Sequence, residues 1–375
     1  MEFGSLIVSC FLYSPAQGQK RHLSRIKQFL VILLCLVGNM SAKSWTKGLM
    51  VHWVSKNPSA ILVFNEKTGK RIGDLKNGRL HQLFENFQII EWSIRDGDGK
   101  VLEKGKAKVE SYEYSKDSML QQVPQGRVTQ HTWNESEIYP ETEREYLVYV
   151  PAQYSASKPA ALMVFQDGLR HADPNGNLRA TTVMDNLIAN GEMPVTLGIF
   201  INPGRFKDQG LKEKPRNRSV EYDSLGDTYA RFLLEEIIPK VEKSYSISDD
   251  PKMRGIAGGS SGGICAWTVC WEKPQSFRKA LIWVGTFVDI RGGHNYPPMV
   301  RKMEKKPIRA YLLAGENDLD NKYGNWPLAN KQMAAALNYS DYDYHFHYGK
   351  CFHGSKAAGA KLPEMMRWLW RDWKK

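Results

Sequence analysis

The stretch RGIAGGSSGGICAW, residues 254–267, holds two adjacent serines between two pairs of glycines. A short apolar run precedes the glycines and the apolar helix pattern ICAWTVCWEKP at 264–274 follows them, so a polar flexible linker is disfavoured. A phosphate-binding loop would need a lysine after its last glycine, and none follows Gly262 or Gly263. The remaining interpretation is Gly-x-Ser-x-Gly between a strand and a helix, the turn that presents a nucleophilic serine.

The glycines have a geometric reason in this interpretation. The serine of such a turn has a strained backbone and a hydroxyl clear of the sheet, so the residues two before and two after it must be small. The N–H of the following residue, at the positive end of the helix, would face the oxygen that becomes negative during attack on a carbonyl. Both serines satisfy the spacing, Ser260 through Gly258 and Gly262, and Ser261 through Gly259 and Gly263. The spacing alone therefore leaves the choice of nucleophile open.

Length and composition bound the rest of the chain. Its 375 residues suffice for one large domain or two modest ones, and 42% hydrophobic residues with 11 tryptophans can fill a sizeable core. The formal net charge of +12 is compatible with an anionic partner or surface, but it is mostly background and selects no function. Because no run of Lys and Arg alternates with aromatic residues and no zinc-finger or recognition-helix pattern occurs, nucleic acid is not an expected partner.

The first 42 residues have the order of a secretory signal peptide. Four basic residues between positions 20 and 27 precede the apolar run FLVILLCLVG at 29–38, and Ser41 and Ala42 follow it. The run is shorter than the roughly 20 residues of a membrane-spanning helix. We therefore expect a signal peptide at 1–42, a secreted or periplasmic protein, and no stable membrane insertion after cleavage. An uncleaved N-terminal anchor is the alternative.

The cysteines indicate neither a metal site nor a disulfide framework. Cys10 and Cys35 fall within the predicted signal peptide, which leaves Cys265, Cys270 and Cys351. Three cysteines allow at most one disulfide and are equally consistent with buried thiols. Their spacing matches no metal-binding pattern, so no metal and no other cofactor is expected.

Residues 43–120 are predicted to form a small β-rich segment. AILVF at 60–64 and FQIIEWSI at 87–94 are strand-like, and RDGDGK at 95–100 has the composition of a hairpin turn. The acidic residues of that turn do not indicate a calcium loop, because Lys100 occupies the next alternate position, where an oxygen ligand is required.

From 121 to 375 the pattern changes to alternating strands and helices. The strand-like runs are REYLVYVP, AALMVFQDG, VTLGIFINP, KALIWVG and IRAYLLAG, which begin at 144, 160, 195, 279 and 308. The helical patterns include TTVMDNLIANG from 181 and the amphipathic segment YDSLGDTYARFLLEEIIPKVEKSY from 222, which is predicted as one helix. This alternation predicts an α/β domain with a mostly parallel sheet covered on both faces. Functional residues are then expected at the carboxyl ends of the strands.

Five motifs of this domain stand in an order that is itself informative. They are VFQDG, RNRSVEY, GGSSGG, AGENDLD and FHG, which begin at 164, 216, 258, 314 and 352. Together they resemble the enterochelin-esterase-like family of esterases related to esterase D, over about residues 121–375. The resemblance implies an α/β-hydrolase fold that acts on esters. In that family the turn that presents the serine, called the nucleophile elbow, has the sequence Gly-x-Ser-x-Gly-Gly, and the nucleophile is its third residue. The resemblance therefore implies that Ser260 attacks and that Ser261 contributes its N–H to the oxyanion hole.

The catalytic acid is expected after the strand-like run AYLLAG. A serine hydroxyl becomes nucleophilic when a histidine accepts its proton and a carboxylate orients that histidine, and both partners follow the serine in this fold. Asp318 is the predicted acid because it follows the strand end in Gly-x-x-Asp, where the resembling family carries its acid. Glu316, Asp320 and Asp341 are the alternatives.

His353 is the predicted general base. It follows the strand-like run YDYHFHYG at 342–349 and precedes the terminal helix pattern, where this fold carries its base. His345 and His347 alternate within that run and share one face, which favours a structural role. His294, which lies between the two serines and this run, is a further candidate. The residues before His353 depart from the resembling family, which often has a small or polar residue where this chain has Phe352.

The remaining site residues are expected at the same edge of the sheet. The second oxyanion donor should come from the loop after VFQDG, through the N–H of Gly168 or Leu169. Arg218 and Glu221 are predicted to form a structural ion pair at the start of their helix, with substrate binding as the alternative. The residues predicted to line the substrate pocket are Trp283, Asn325 and Trp326.

The sequence thus predicts a secreted serine esterase with a Ser-His-Asp triad. The family resemblance implies a small-molecule or polysaccharide ester as substrate, such as an acylated polysaccharide, a siderophore or a lactone. The same triad could serve an acyltransferase or a peptidase. A different class of function is a catalytically inactive protein whose β-rich segment binds carbohydrate or a partner, which an intact triad would disfavour.

Overall fold

The structure is a computed structural model and describes residues 43–210 and 213–374. The predicted signal peptide at 1–42 lies outside the described residues. The chain divides into two compact units, one ending at Val109 and the other beginning at Glu110. The β-rich unit therefore ends ahead of the boundary at 120 expected from the pattern, and residues 110–120 belong to the second unit.

The first unit consists of two antiparallel sheets. Its strands are β1 Lys43–Lys47, β2 Met50–Val54, β3 Leu62–Asn65, β4 Arg71–Asp74, β5 Arg79–Leu83, β6 Gln88–Arg95 and β7 Val101–Val109. The sheets have the orders β1–β2–β5 and β4–β3–β6–β7. Alternate residues point inward, as Val51 and Trp53 of β2 show, and the core of the unit includes Val63 and Ile94.

The second unit is organised around a nine-stranded sheet. Its strands are β8 Arg127–Trp133, β9 Thr142–Val150, β10 Ala161–Gln166, β11 Thr196–Ile201, β12 Arg205–Phe206, β13 Arg254–Gly259, β14 Lys279–Trp283, β15 Arg309–Asn317 and β18 Asp343–Phe352. The order is β8–β9–β11–β10–β13–β14–β15–β18, with β12 paired to the start of β9. From β11 to β18 all neighbours are parallel, whereas β9 is antiparallel to β8 and β11. A separate hairpin pairs β16 Asp320–Asn321 with β17 Gly324–Asn325.

Helices connect the parallel strands. They are α1 Leu169–Ala172, α2 Ala180–Ala189, α3 Arg218–Asp223, α4 Thr228–Arg231, α5 Ile238–Glu242, α6 Ser261–Glu272, α7 Tyr296–Lys302, α8 Trp326–Tyr339 and α9 Lys356–Trp370. Short 3₁₀ turns occupy Lys116–Ser118, Pro251–Met253 and Gly293–Asn295.

The segment predicted as one helix from Tyr222 to Tyr245 is interrupted, so that prediction was wrong. Gly226 has a φ of 96°, which is incompatible with a right-handed helix and separates α3 from α4. A π-helical turn at Phe232–Ile237 then joins α4 to α5. Pro239 in the first turn of α5 has no N–H to donate to an α-helical ladder, which accounts for the wider turn before it.

Apolar side chains cover both faces of the parallel sheet. In β10, Leu162 and Val164 join one core cluster, which includes Trp267 of α6. Their neighbours Met163 and Phe165 join the opposite cluster. Every residue of β10 is therefore buried, as expected for a strand between two helical layers. The predicted α/β fold with a mostly parallel sheet, preceded by a β-rich segment, is confirmed.

Candidate active site

Ser260 forms the turn between strand β13 and helix α6. Its backbone has a φ of 58° and a ψ of −125°, a conformation that costs a residue with a side chain about 1–3 kcal/mol. The flanking glycines permit it, since a Cβ at Gly258 would lie 2.2 Å from the carbonyl oxygen of Gly262. The turn therefore has the strain and the crowding expected of Gly-x-Ser-x-Gly with Ser260 at its centre.

His353 and Asp318 meet Ser260 in one hydrogen-bonded series. Nε2 of His353 lies 2.8 Å from Oγ of Ser260, and Nδ1 lies 2.6 Å from Oδ1 of Asp318. The Asp318 side chain, after β15, is fully buried, whereas that of His353, in the loop after β18, is 23% exposed. The N–H of Leu319 donates to Oδ1 of Asp318 at 2.7 Å and helps to fix the carboxylate. This arrangement can move a proton from a serine hydroxyl to an imidazole that a carboxylate orients.

The other sequence candidates have different surroundings. Ser261 is buried at the start of α6, and its hydroxyl hydrogen-bonds the carboxyl of Asp223. Glu316 and Asp320 are exposed. His345 packs its ring against two aromatic side chains, as expected for a structural residue. The structure thus brings one of the two serines, one of the acids and one of the histidines together.

The N–H groups near Ser260 distinguish the oxyanion candidates. Ser261 is the first residue of α6, where N–H groups lack carbonyl partners within the helix. The N–H of Gly168 donates to the carbonyl of Ile201 at 3.0 Å, so it already belongs to the fold and the prediction is corrected for this residue. The N–H of Leu169 makes only a long contact, 3.4 Å, with Oδ1 of Asn202. Leu169 is therefore the better of the two candidates in this loop.

Two residues predicted to bind substrate have structural contacts. Trp283 is 1% exposed and packs beside the elbow, where a Cβ at Gly259 would lie 2.1 Å from its Nε1. Oδ1 of Asn325 accepts the N–H of Leu328 at 2.9 Å and caps the first turn of α8. The prediction that Trp283 lines the substrate pocket is corrected, because a ring that is 1% exposed offers no binding surface. For Asn325 only the amide oxygen is engaged by the fold and the residue is half-buried, so its place in the pocket stays a prediction.

Trp326 and Thr286 complete the surroundings of the reacting groups. The Trp326 ring is 2% exposed and stands edge-on to the imidazole of His353, with centroids 5.9 Å apart. It therefore restrains the histidine more than it contacts the solvent-facing pocket. Oγ1 of Thr286 lies 3.3 Å from Oγ of Ser260. Sequence reasoning missed this threonine, although its position just after β14 at the same sheet edge could have indicated it.

Arg218 and Glu221 do not pair with each other, so the predicted ion pair between them was wrong. Nε and one terminal nitrogen of Arg218 each donate to an oxygen of Asp167 at 2.8 Å. Glu221 instead pairs with the buried Arg144, at 2.6 Å. Burial opposes ionisation of Asp167, but the hydrogen bonds and charge of Arg218 outweigh it and hold the pKa of Asp167 below its usual value. The Arg218–Asp167 pair thereby ties α3 to the turn that precedes Leu169.

Burial also controls the protonation of two groups beside the elbow. It raises the pKa of Asp223, although hydrogen bonds from Ser219 and Ser261 act in the opposite direction. It lowers the pKa of His171 to about 3, so that this imidazole is neutral at physiological pH. Asp223 supports the site through its hydrogen bonds with Ser219 and Ser261, and His171 packs its ring edge-on to Trp283.

The described residues contain neither a metal-binding cluster nor a membrane-spanning helix. Within 43–210 and 213–374, no cluster of three or more His, Cys, Asp or Glu side chains is placed to hold a metal ion. Over the same residues no helix has the length and apolar character needed to cross a membrane.

Comparison with known proteins places the second unit among esterases. The family model described as "Putative esterase" matches residues 137–367. Over 222 residues, 57% of this chain, the sequence is 24% identical to an endo-1,4-beta-xylanase/feruloyl esterase of Xylanibacter ruminicola, of which the match covers 27%. It is 28% identical over 118 residues, 30% of this chain, to the ferri-bacillibactin esterase BesA of Bacillus subtilis, of which 39% is covered. The chain thus spans well under half of either relative.

Solved structures match over more of the chain. The enterobactin esterase FES from Shigella flexneri has a TM-score of 0.61 at 13% identity, covering 89% of this chain and 97% of that one. A CE1 ferulic acid esterase from Anaeromyces mucronatus has a TM-score of 0.52 at 16% identity, covering 68% and 97%. At these identities the matches bear on the fold alone, and they agree with the predicted α/β-hydrolase architecture.

Proposed function

This chain belongs to the esterase family whose model matches residues 137–367, and from that premise we propose that it hydrolyses carboxylic esters with Ser260 as nucleophile. One observation carries the proposal: Ser260 lies on a strained elbow within 2.8 Å of His353, whose other nitrogen lies 2.6 Å from Asp318. Nucleophile, base and orienting acid therefore stand in the contacts that acyl transfer requires.

The proposed reaction follows from these contacts. The Nδ1–H of His353 donates to Asp318, which leaves Nε2 to accept the proton of Ser260 as Oγ attacks the ester carbonyl. The negative charge that forms on the carbonyl oxygen is stabilised by the N–H groups of Ser261 and Leu169. The imidazolium returns its proton to the departing alcohol, and a water activated by the same histidine then hydrolyses the acyl-enzyme.

The substrate class is proposed from the relatives. Their names include a feruloyl esterase, a ferri-bacillibactin esterase and an enterobactin esterase. The ester classes to test first are therefore an acylated polysaccharide, a siderophore and a lactone. Pocket loops set the choice among them, because one fold hosts many substrates.

We also propose that the protein acts outside the cytoplasm. The support is the order of basic, apolar and small residues within 1–42, which is that of an export signal. N-terminal sequencing of protein recovered from the periplasm or medium should find a start near Ala42 or Lys43. Recovery only as an uncleaved, membrane-bound chain would contradict export.

A covalent probe tests the reaction class directly. A fluorophosphonate should label the protein, and peptide mapping should find the adduct on Ser260. Ser260→Ala should abolish labelling and ester hydrolysis, whereas Ser261→Ala keeps its backbone N–H and should lose much less. An adduct on Ser261, or hydrolysis that persists in Ser260→Ala, would refute the assignment. Product analysis with an added alcohol separates hydrolysis from acyl transfer.

A further inference from the structure

Three arginines surround the elbow at the carboxyl edge of the sheet. Arg170 follows β10, Arg218 begins α3, and Arg291 follows β14. They come from separate segments of the chain, so their convergence results from the fold and not from local sequence. Their contacts decide whether their charges are already neutralised.

Two of these arginines share a single carboxylate. Arg218 holds both oxygens of Asp167 at 2.8 Å, and Arg170 contacts one of the same oxygens at 3.2 Å. Two positive charges thus face one negative charge. The Arg170 side chain is 66% exposed, against 29% for Arg218, so it is the outer member of the group and can turn toward a ligand. The group adjoins the elbow, since a Cβ at Gly262 would lie 3.6 Å from Oδ2 of Asp167.

The third arginine contacts a neutral group. Nε of the exposed Arg291 donates to the hydroxyl of Ser219 at 3.3 Å. Ser219 and Ser261 both hydrogen-bond the carboxyl of Asp223, which links Arg291 to the residue after the nucleophile. Asp223 is 2% exposed and its carboxyl is engaged by the hydroxyls of Ser219 and Ser261, so Arg291 reaches it only through Ser219.

Three other acidic residues near these strand ends make no contact with the three arginines that is described above. Glu316 and Asp320 are exposed and flank Asp318 after β15. Asp289, on the loop after β14, lies 3.2 Å from Nδ1 of His294. Exposed acidic groups thus flank Asp318, whereas the carboxylates among the arginines, Asp167 and Asp223, are buried and already hydrogen-bonded. The positive end of α6 adds to the field on the arginine side.

We propose that the natural ester carries a negatively charged group, such as a carboxylate, and that Arg170 and Arg291 bind this group beside Ser260. The inference rests on the proposed esterase function and narrows its substrate to anionic esters. Guanidinium groups suit the role because their planar array of donors can bind both oxygens of a carboxylate. Arg218 is already engaged by Asp167 and serves mainly to hold that carboxylate in place.

Matched esters test the proposal. One pair is mono-(4-nitrophenyl) glutarate and its methyl ester, which places the charge in the acyl group. The other is 4-acetoxybenzoate and its methyl ester, which places the charge in the alcohol, with acetate release as the readout. Within each pair the same bond reacts and the charge is removed by methylation. Because methylation of 4-acetoxybenzoate also makes its phenol a better leaving group, each rate is divided by the rate of spontaneous hydrolysis of the same ester. Variants are Arg170→Gln and Arg291→Gln, and the control is Arg371→Gln, which removes an exposed arginine that pairs with Asp343 at the opposite edge of the sheet.

Wild-type kcat/KM should be at least about tenfold higher for the anionic member of one pair, the effect of one charged hydrogen bond. Arg170→Gln and Arg291→Gln should each lower that preference, mainly through KM, and leave the neutral ester nearly unchanged. Arg371→Gln should retain the preference. Added salt should reduce turnover of the anionic ester more than that of the neutral one, because exposed charges are screened.

Two outcomes overturn the inference without touching the esterase assignment. One is equal turnover of charged and neutral esters in both pairs by the wild-type enzyme. The other is an anionic preference that survives both substitutions and their combination. If no ester of either pair is hydrolysed and Ser260 does not react with a fluorophosphonate, the proposed function itself has failed.

Discussion

The two ends of the parallel sheet are built from the same strands and helices, yet they differ in whether the terminal polar groups of the helices have partners. At the carboxyl end, α6 begins with N–H groups that have no carbonyl partner within the helix, directly after the strained Ser260. At the amino end the helices finish, and basic side chains bind their last carbonyls. Nζ of Lys306 donates to the carbonyl of Trp271 at 2.5 Å, and Arg309 donates to that of Leu369 at 3.0 Å.

The amino end also has the features by which active sites are often sought. A cavity of about 420 Å³ opens there among residues that include Lys252, Arg278, Lys279 and Arg309. Burial lowers the pKa of Lys279 to about 8. Arg278, Lys279 and Arg309 nevertheless bind backbone carbonyls or carboxylates of the fold, so their charge stabilises structure. A cavity and a perturbed pKa are therefore weaker guides to a reactive site than a strained serine beside an oriented histidine, on which the proposed function rests.

Loss of the general base should have the largest effect at the carboxyl end. His353→Ala and Asp318→Asn should each lower kcat for a neutral ester by about 10⁴-fold or more, because Ser260 loses its proton acceptor or the acceptor takes the wrong tautomer. Circular dichroism and thermal unfolding should show both variants folded. Full activity in His353→Ala would contradict the assignment of His353 as general base at the carboxyl end. A folded, active Asp318→Asn beside an inactive Asp320→Asn would move the acid role to Asp320.

Much of this architecture follows from the sequence, for reasons visible in particular residues. The alternation of buried strands and amphipathic helices predicted the parallel sheet, and the glycines around Ser260 predicted the elbow, because both depend on short-range patterns. The partner of Arg218 could not be predicted in this way. Asp167 is far from it in sequence, and the nearby Glu221 was the obvious but wrong choice, since Arg144 reaches it through the fold.

The sequence is equally limited in predicting which residues near a strand end contact the substrate. Trp283 and Asn325 were expected at the substrate because aromatic and amide groups near a strand end suit that role. Whether such a side chain packs inward or faces a ligand depends on neighbours that only the folded chain supplies. Thr286 was missed for the converse reason, since a small hydroxyl after a strand has no distinctive pattern until Ser260 lies beside it.

Loss of a guanidinium at the amino end should affect stability and leave catalysis unchanged. Arg309 holds Asp372 with two nitrogens at 2.5 and 2.8 Å and Asp343 with a third at 2.7 Å, and its side chain is 15% exposed. Arg309→Gln should lower the free energy of unfolding by about 2 kcal/mol, since two carboxylates lose a nearly buried partner. Urea denaturation measures the loss, and kcat per folded molecule should match wild type.

A matched control lies on the same carboxylate. Arg371 also pairs with Asp343, but its side chain is 39% exposed. Arg371→Gln should therefore cost less than about 1 kcal/mol. If Arg309→Gln lowered kcat as strongly as it lowered stability, the division of the sheet into a reactive end and a structural end would be wrong.

The smallest effect at neutral pH concerns Lys279, whose altered pKa should affect stability alone and mainly at alkaline pH. Its Nζ donates to the carbonyl of Lys252 at 2.7 Å and lies 3.6 Å from Asp372, while the side chain is 5% exposed. Burial disfavours the ammonium, so the folded pKa of about 8 lies below the ordinary value of 10.5. Between these two values the unfolded chain binds the proton and the folded chain does not. Stability should therefore rise with pH across this window, with a limiting slope of about 1.4 kcal/mol per pH unit.

Lys279→Met isolates this contribution from other groups that titrate at alkaline pH. The difference in unfolding free energy between wild type and variant should change in favour of wild type from pH 8 to pH 10, while kcat at pH 7 stays the same in both. At pH 7 the variant should be as stable as wild type or gain about 1 kcal/mol, because a buried ammonium is replaced by an apolar chain of similar length. A difference that stays constant with pH would show that Lys279 keeps its ordinary pKa. A loss of kcat in the folded variant would instead connect the amino end to the proposed chemistry at Ser260 and would contradict the contrast between the two ends of the sheet.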